Sequence, residues 1–318
     1  KGEIYEGIIE KVDFPNKGYV CIDDQKVLIK NGIPGQKVRF MIQKKRSGRA
    51  QGRILEVLEK SPLETRDAVC SNFPACGGCM YQTMSYENQL AMKETQIREL
   101  LEDALVQGGQ VDENGLADFE WEGIHGSPIE FGYRNKMEFS FGDEYKDGPL
   151  SLGLHKKGST YDILNIDDCK LVHKDMTDIL ICVREFFREK GASYYRKLQH
   201  TGYLRHLMLR RGVTSGEILV HLVTTTQEEY DLEPLKEQLL ALPLEGKIVE
   251  WVSGVRLSRD GGIISAQEIE IQLLHSRERF IVRRLFFNRL LRGRRFFHRY
   301  ILRLKARAGK EVRRRHKN

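Results

Sequence analysis

The chain has 318 residues, of which 31% are charged and 40% hydrophobic, with six cysteines and a formal net charge of +7. Its length suits two or three domains, and no apolar run approaches the roughly 20 residues of a membrane-spanning helix. The lack of such a run argues against a membrane partner. Six cysteines are too few for a disulfide scaffold and no signal peptide is visible, which argues against a small secreted protein. We therefore expect a monomeric, cytoplasmic protein.

Residues 1–60 predict a small β-barrel. Five β-rich runs are separated by turn signals at 15–18 and 23–24, a pattern typical of a five-stranded Greek-key barrel of the oligonucleotide-binding (OB) type. A basic hairpin before the last strand contains Lys44, Lys45, Arg46 and Arg49. Such a hairpin suits contacts with RNA phosphates, although a solvated hairpin tip would have the same composition.

A cysteine cluster follows a linker at about 59–66. Cys70, Cys76 and Cys79 lie within ten residues, the last two separated by two glycines, and Cys169 is the best candidate for a fourth ligand. Four thiolates suit either Zn²⁺ or a four-iron four-sulfur (4Fe-4S) cluster. Zinc sites usually pair two C-x2-C hairpins, so the single C-x2-C here favours iron–sulfur, with zinc and unligated core cysteines as alternatives.

Residues 67–275 predict one α+β domain. The periodicity indicates helices at about 85–105, 173–189 and 227–241, a polar loop or insertion at 106–130, and strands at 137–141, 150–154, 161–166, 203–210, 217–224 and 248–252. Basic and aromatic residues on or beside these strands are candidates for RNA contacts, with a solvated surface as the alternative: Tyr133, Arg134, Lys136, Arg205, His206, Arg210 and Arg211.

Residues 276–318 carry the positive charge of the whole chain. They contain fourteen Arg and three Lys against two Glu, a net charge of +15, which leaves −8 for the other 275 residues. The average charge is therefore no evidence for a nucleic-acid partner. Three interpretations of this segment are open. We favour out-of-frame sequence; the alternatives are a basic amphipathic helix interrupted by Gly293 and an RNA-binding tail.

The motif C-x5-C-G-G-C followed by Met80-Tyr81-Gln82 resembles the iron–sulfur RNA (uracil-C5)-methyltransferases, the bacterial 23S ribosomal RNA enzymes related to the transfer-RNA enzyme. Residues 33–38 and 52–56 look like the TRAM barrel of that family, and residues 133–136 and 152–169 look like its central domain. The resemblance covers roughly residues 1–280. It implies a TRAM barrel, an α+β cluster-binding domain and a Rossmann-like methyltransferase domain.

The implied reaction is methylation of uracil C5 in RNA by S-adenosylmethionine, through addition of a cysteine thiolate to C6. The resemblance makes Cys70, Cys76, Cys79 and Cys169 the ligands of a 4Fe-4S cluster. The nucleophile, the base and the S-adenosylmethionine site belong to the Rossmann-like domain, so no catalytic or cofactor-binding residue can be assigned. That domain is expected to be missing, leaving an inactive chain that binds 23S rRNA and a cluster; the alternative is a non-catalytic RNA-binding iron–sulfur module.

Overall fold

A computed structural model describes residues 2–46, 49–253, 255–257 and 263–266. Within these ranges the chain forms two six-stranded mixed sheets, a two-stranded sheet and three helices. None of these helices has the length and apolarity needed to cross a bilayer. The basic segment 276–318 lies outside the described residues, so its three interpretations stay predictions.

The first sheet contains the N-terminal strands in the order β1-β5-β6-β4-β3-β2. Its core is formed by alternating apolar side chains, among them Val20, Ile29 and Phe40. The predicted turn at Asp23 and Asp24 is a two-residue hairpin loop in which both residues have positive φ. The strands are β1 Ile4–Ile8, β2 Lys11–Asp13, β3 Lys17–Ile22, β4 Gln25–Lys30, β5 Lys37–Arg46 and β6 Arg49–Glu59.

The predicted fold class is wrong for this region, because these strands form a six-stranded mixed sheet and not the predicted five-stranded barrel. Ile9 is fully buried and its N–H donates to the carbonyl of Gln36 at 2.9 Å. This contact divides the first β-rich run, so that β1 pairs with β5 while β2 pairs with β3. Strands β4 and β6 run parallel.

The second sheet has the order β12-β11-β10-β7-β8-β9 and is also mixed, because β11 and β12 are parallel. Its strands, with the short pair that follows, are β7 Lys136–Asp143, β8 Leu150–His155, β9 Ile163–Asn165, β10 Leu204–Arg211, β11 Glu217–Thr224, β12 Lys247–Ser253, β13 Val255–Leu257 and β14 Ile263–Ala266. The helices are α1 Tyr86–Gln107, α2 Lys174–Glu189 and α3 Glu233–Ala241. The first two match the predicted helices closely, whereas α3 begins six residues later, with Pro234 in its first turn.

Helix α2 covers one face of the second sheet. Its apolar side, including Ile179, Val183 and Phe187, packs against Phe139 and Leu207 in the largest core cluster. Helix α1 instead makes polar contacts with the first sheet: Gln96 Nε2 donates to the Val12 carbonyl at 2.6 Å. Among the described residues, no helix covers the opposite face of the second sheet, which carries several of the basic residues that the sequence singles out.

Candidate functional site

Four cysteines line one small cavity. Cys70, Cys76 and Cys79 come from the loop before α1, and Cys169 comes from the turn between β9 and α2. The cavity measures about 10 Å³ and its remaining walls are mostly apolar. Cys169 thus lies at the same cavity as Cys79, although the two are 90 residues apart in sequence. The spacing of the first three cysteines alone does not require this convergence.

The cysteine loop is fixed by backbone hydrogen bonds to the end of β8. The Gly77 N–H donates to the His155 carbonyl at 3.0 Å, and the Lys157 N–H donates to the Ala75 carbonyl at 2.7 Å. A Cβ on Gly77 would lie 3.0 Å from the His155 carbonyl oxygen, so this close approach favours glycine. The next glycine, Gly78, donates its N–H to Cys76 Sγ at 3.4 Å.

The turn that carries Cys169 is held from the other side by α2. Arg184 is buried on this helix, and its guanidinium forms an ion pair with Asp167, two residues before the cysteine. Asp168 pairs with Lys170 at 2.6 Å. Both acids thus form ion pairs that hold this turn.

Burial and mutual repulsion oppose ionisation of these thiols. Burial raises the pKa of Cys76, the Gly78 amide lowers it, and the neighbouring Cys79 and Cys70 raise it again. Burial likewise raises the pKa of Cys169, with further increases from the other three cysteines. Four thiolates in one apolar cavity require compensating positive charge, and a donor set of four sulfurs fits a soft metal centre.

The side chains are not, however, in ligand geometry. In the ranges that the structure covers, no group of three or more His, Cys, Asp or Glu side chains is arranged so that it could hold a metal ion. The four cysteines are gathered around a cavity, and the metal assignment stays a prediction.

The candidate RNA-contacting residues fall into separate groups. Lys44 and Lys45 are exposed near the end of β5, whereas the side chains of Arg46 and Arg49 lie outside the described part of the chain. Tyr133 and Arg134 are exposed just before β7, and Arg134 Nη1 lies 3.6 Å from Met137 Sδ.

Lys136 and Arg210 lie directly opposite each other on β7 and β10, and both are exposed. Like charges in this position repel each other. Neither side chain has a carboxylate partner among the residues that the structure describes. The pair is therefore an exposed cationic site on the sheet face that α2 leaves free.

Arg211, the next residue along β10, has a different role. Its Nε lies 3.0 Å from Asp175 Oδ2, and its Nη2 lies 3.7 Å from Glu245. Asp175 is buried at the start of α2 and also accepts hydrogen bonds from the amides of Glu245 and Gly246, each at 2.9 Å. Arg211 is thus committed to an internal network.

Arg205 and His206 line a second, larger cavity of about 250 Å³. The Arg205 guanidinium lies 4.5 Å from the centre of the Tyr195 ring, and His206 Nδ1 lies 3.3 Å from Ser140 Oγ. Residues 194–199 form the opposite wall of this cavity. Sequence patterns did not single out this wall, although the run Tyr194-Tyr195-Arg196-Lys197 combines aromatic and basic residues.

The chain is similar in sequence to proteins named as RNA methyltransferases. It is 41% identical over 249 residues to an uncharacterized RNA methyltransferase of Clostridium tetani, covering 78% of this chain and 52% of that protein. It is also 41% identical over 237 residues to one of Caldanaerobacter subterraneus, covering 74% of this chain and 50% of that protein. The chain thus spans about half the length of the curated relatives it matches, and no protein-family model matches it.

A crystal structure of the Pyrococcus abyssi tRNA (uracil-54, C5)-methyltransferase in complex with S-adenosyl-L-homocysteine has a similar fold. The TM-score is 0.54 at 22% identity, and the match covers 83% of this chain and 54% of that one. The predicted fold class, in which the Rossmann-like methyltransferase domain is missing, is therefore wrong, because the two mixed sheets and three helices of the described residues match about half of a methyltransferase chain. The chain is thus similar in sequence to proteins named as RNA methyltransferases, and its fold resembles about half of a methyltransferase of known structure.

Proposed function

We propose that this protein is an S-adenosylmethionine-dependent RNA methyltransferase that acts on C5 of uracil, with 23S rRNA as its substrate. The observation that carries the proposal is the convergence of Cys70, Cys76, Cys79 and Cys169 on one cavity. These are the residues on which the resemblance to the iron–sulfur enzymes rests. The relatives named as RNA methyltransferases support the same chemistry.

The four cysteines are proposed to hold a 4Fe-4S cluster, with Zn²⁺ as the alternative. Thiolates are the usual ligands of such clusters, and amide N–H groups directed at sulfur, like that of Gly78, stabilise the bound form. When bound, the cluster supplies an electron-transfer centre and cross-links the cysteine loop to the turn at Cys169. The chain itself contributes the anchoring of both segments, through β8 and through Arg184.

The free face of the second sheet is proposed to contact RNA. Lys136 and Arg210 repel each other in the free protein, so a phosphate placed between them would remove an unfavourable interaction as well as add a favourable one. The exposed Tyr133 ring, three residues before Lys136 in the sequence, is available for stacking on an unpaired base. This arrangement suits single-stranded or looped RNA.

The reaction is tested with RNA whose uracils carry tritium at C5. Methylation at C5 replaces the hydrogen there, so we expect tritium release to match methyl incorporation on unmodified 23S rRNA, and none when S-adenosylmethionine is omitted. Binding of RNA without tritium release would contradict the enzyme and favour a non-catalytic RNA-binding iron–sulfur module. Release from tRNA alone would contradict 23S rRNA as the substrate.

The metal is tested by anaerobic purification, with iron, sulfide and zinc analysis. A Cys76→Ser variant is expected to lose most of its iron and its broad visible absorption, because a ligand is removed from the cluster. The matched control is Cys21→Ser, which changes an exposed cysteine on β3 outside the cavity and is expected to retain iron. A colourless preparation that contains zinc would contradict the iron–sulfur assignment.

A further inference from the structure

The cavity of about 250 Å³ lies on the sheet face that α2 leaves free. Ser140 and His206 are cross-strand partners on this face, next to Phe139 and Leu207, which point into the core under α2. Because side chains alternate along a strand, Lys136 and Arg210 share the face of Ser140 and His206. At about 3.3 Å per residue, the cationic pair lies about 13 Å along the strands from this cavity.

The cavity contains polar groups with no partner of their own. Arg205 Nε and His155 Nδ1 are buried, and neither has a hydrogen-bond partner within the described ranges. A buried donor without a partner costs about 1–3 kcal/mol, so native proteins seldom retain one without a reason. Burial, followed by the positive charge of Lys197, lowers the pKa of His155, which favours the neutral ring.

An aromatic and cationic wall faces these groups. The Tyr195 ring and the Arg205 guanidinium are stacked at 4.5 Å, and Tyr195 is fixed by a hydrogen bond of 2.9 Å between its hydroxyl group and His200 Nδ1. Lys197 is exposed at the mouth of the cavity. Planar arginine and tyrosine groups are the surfaces on which unpaired RNA bases stack.

Most of the acidic groups in this cavity are already engaged. Asp143 accepts a hydrogen bond from the Asp147 amide at 2.9 Å, and the Asp147 carboxylate pairs with Arg196 at 3.2 Å. Asp162 also lines the cavity, and its carboxylate has no partner in the part of the chain that the structure describes. The cavity is thus lined by both a carboxylate and an arginine N–H without partners among the described residues, and this pair matches the mixed donor and acceptor edge of a nucleobase better than it matches a simple anion.

We propose that this cavity binds one unstacked nucleotide of the RNA substrate, with its base against Tyr195 and Arg205 and a flanking phosphate near Lys197. The proposal rests on the proposed function for the identity of the ligand as RNA. The volume is below the roughly 300–1,000 Å³ of pockets for drug-sized ligands, which suits a single base. The described residues that line the cavity include no cysteine.

The test is an abasic scan of a short single-stranded RNA that the full chain binds, followed by fluorescence anisotropy. Removing the base that occupies the cavity is expected to weaken binding about tenfold, the value of one stacked base. In a Tyr195→Leu variant the intact RNA is expected to bind about tenfold more weakly, and the same abasic position is expected to cost nothing further.

A Lys197→Gln variant provides a second measurement, since it changes an exposed side chain and leaves the fold intact. It is expected to weaken binding severalfold and to reduce the slope of log Kd against log salt by about 0.7. The matched control is Lys174→Gln on α2, an exposed lysine on the covered side of the sheet that is expected to leave both values unchanged.

Two results would overturn the proposal without touching the enzymatic function: an abasic effect that is the same in the wild type and in Tyr195→Leu, or an unchanged salt slope in Lys197→Gln. A wild-type chain that binds no RNA at all would overturn the proposed function together with the nucleotide cavity. Methylation is measured separately by tritium release. The binding assay therefore tests the nucleotide cavity even if the protein binds RNA without methylating it.

Discussion

Arg210 and Arg211 are neighbours on β10, yet they belong to two different regions of the molecule. Arg211 is largely buried and pairs with Asp175, which also accepts hydrogen bonds from two backbone amides. Arg210 lies on the open face opposite Lys136, with no carboxylate partner among the described residues. Strand alternation alone separates them, because consecutive side chains point to opposite faces of the sheet.

The difference shows that a basic run in a strand contains two kinds of cation. One kind is neutralised inside the protein and stabilises the fold, and the other is left unpaired at the surface and is available to a polyanion. Composition cannot distinguish them, whereas the partner of each side chain can.

The largest effect is expected at Asp175. An Asp175→Asn variant keeps the shape of the side chain but removes its charge and replaces one of its two acceptor oxygens with an NH2 donor. Arg211 therefore loses its charged partner, and the amides of Glu245 and Gly246 can no longer both keep a carboxylate acceptor. Breaking a buried ion pair in this way costs about 3–5 kcal/mol of unfolding free energy. Urea unfolding followed by circular dichroism measures the loss.

The matched control for this loss lies on the same helix. Asp178 pairs with Lys174, whose side chain is largely exposed, so an Asp178→Asn variant is expected to cost no more than about 0.5 kcal/mol. If the two variants had equal free energies of unfolding, the network of Asp175 and Arg211 would stabilise the fold no more than a surface ion pair does.

The same network predicts a pH dependence. Burial raises the pKa of Asp175, but hydrogen bonds from Glu245, Gly246 and Arg211 outweigh it, and the net pKa lies below its usual value. A carboxylate with a lowered pKa in the folded state stabilises the protein above the unfolded pKa of about 3.9 and loses this contribution as pH falls further. The stability difference between wild type and Asp175→Asn is therefore expected to shrink below about pH 4. A difference that stayed constant down to pH 2 would contradict this assignment.

The sequence predicts these regions unequally. Helices α1 and α2 were predicted from their apolar periodicity. In the structure, Ser85 and His173 cap them by accepting a hydrogen bond from the first turn of each helix. The grouping of Cys70, Cys76 and Cys79 follows from their tight spacing, whereas the position of Cys169 beside them depends on the fold. In contrast, the division of the first β-rich run depends on the contact between Ile9 and Gln36, which are 27 residues apart, and no local pattern indicates it.

The cavity at Tyr195 could not be predicted for the same reason. Its walls come from β7, β8, β10 and the segment before β10, and only the register between Ser140 and His206 brings them together. Arg205 was identified as basic, but its unpaired Nε and its contact with Tyr195 exist only in the folded chain. The fold class was wrong where long-range strand pairing decided the result, and the helices were right where local periodicity decided it.

A smaller effect is expected for RNA binding at the open face. An Arg210→Gln variant is expected to lose on the order of 1 kcal/mol of binding free energy, about fivefold in Kd, and to lower the salt slope by about 0.7. The matched control is Arg211→Gln, which removes a cation at the next residue but from the internal network, and is expected to leave the slope unchanged. Filter binding at several salt concentrations measures Kd and the salt slope of each variant. Equal slopes for the two variants would contradict the claim that Arg210, and not Arg211, is available to RNA.

The smallest effect is expected for stability at Lys136. In the absence of RNA, the charge of Lys136 repels that of Arg210 across the strands, and like charges in this position destabilise a sheet by about 0.2–1 kcal/mol. A Lys136→Gln variant is therefore expected to unfold at a slightly higher urea concentration than the wild type while binding RNA more weakly. The gain should vanish in an Arg210→Gln background, because the repulsion is then already gone. A loss of stability in Lys136→Gln would mean that this lysine has a stabilising partner, and that the open face is not an unneutralised site awaiting a polyanion.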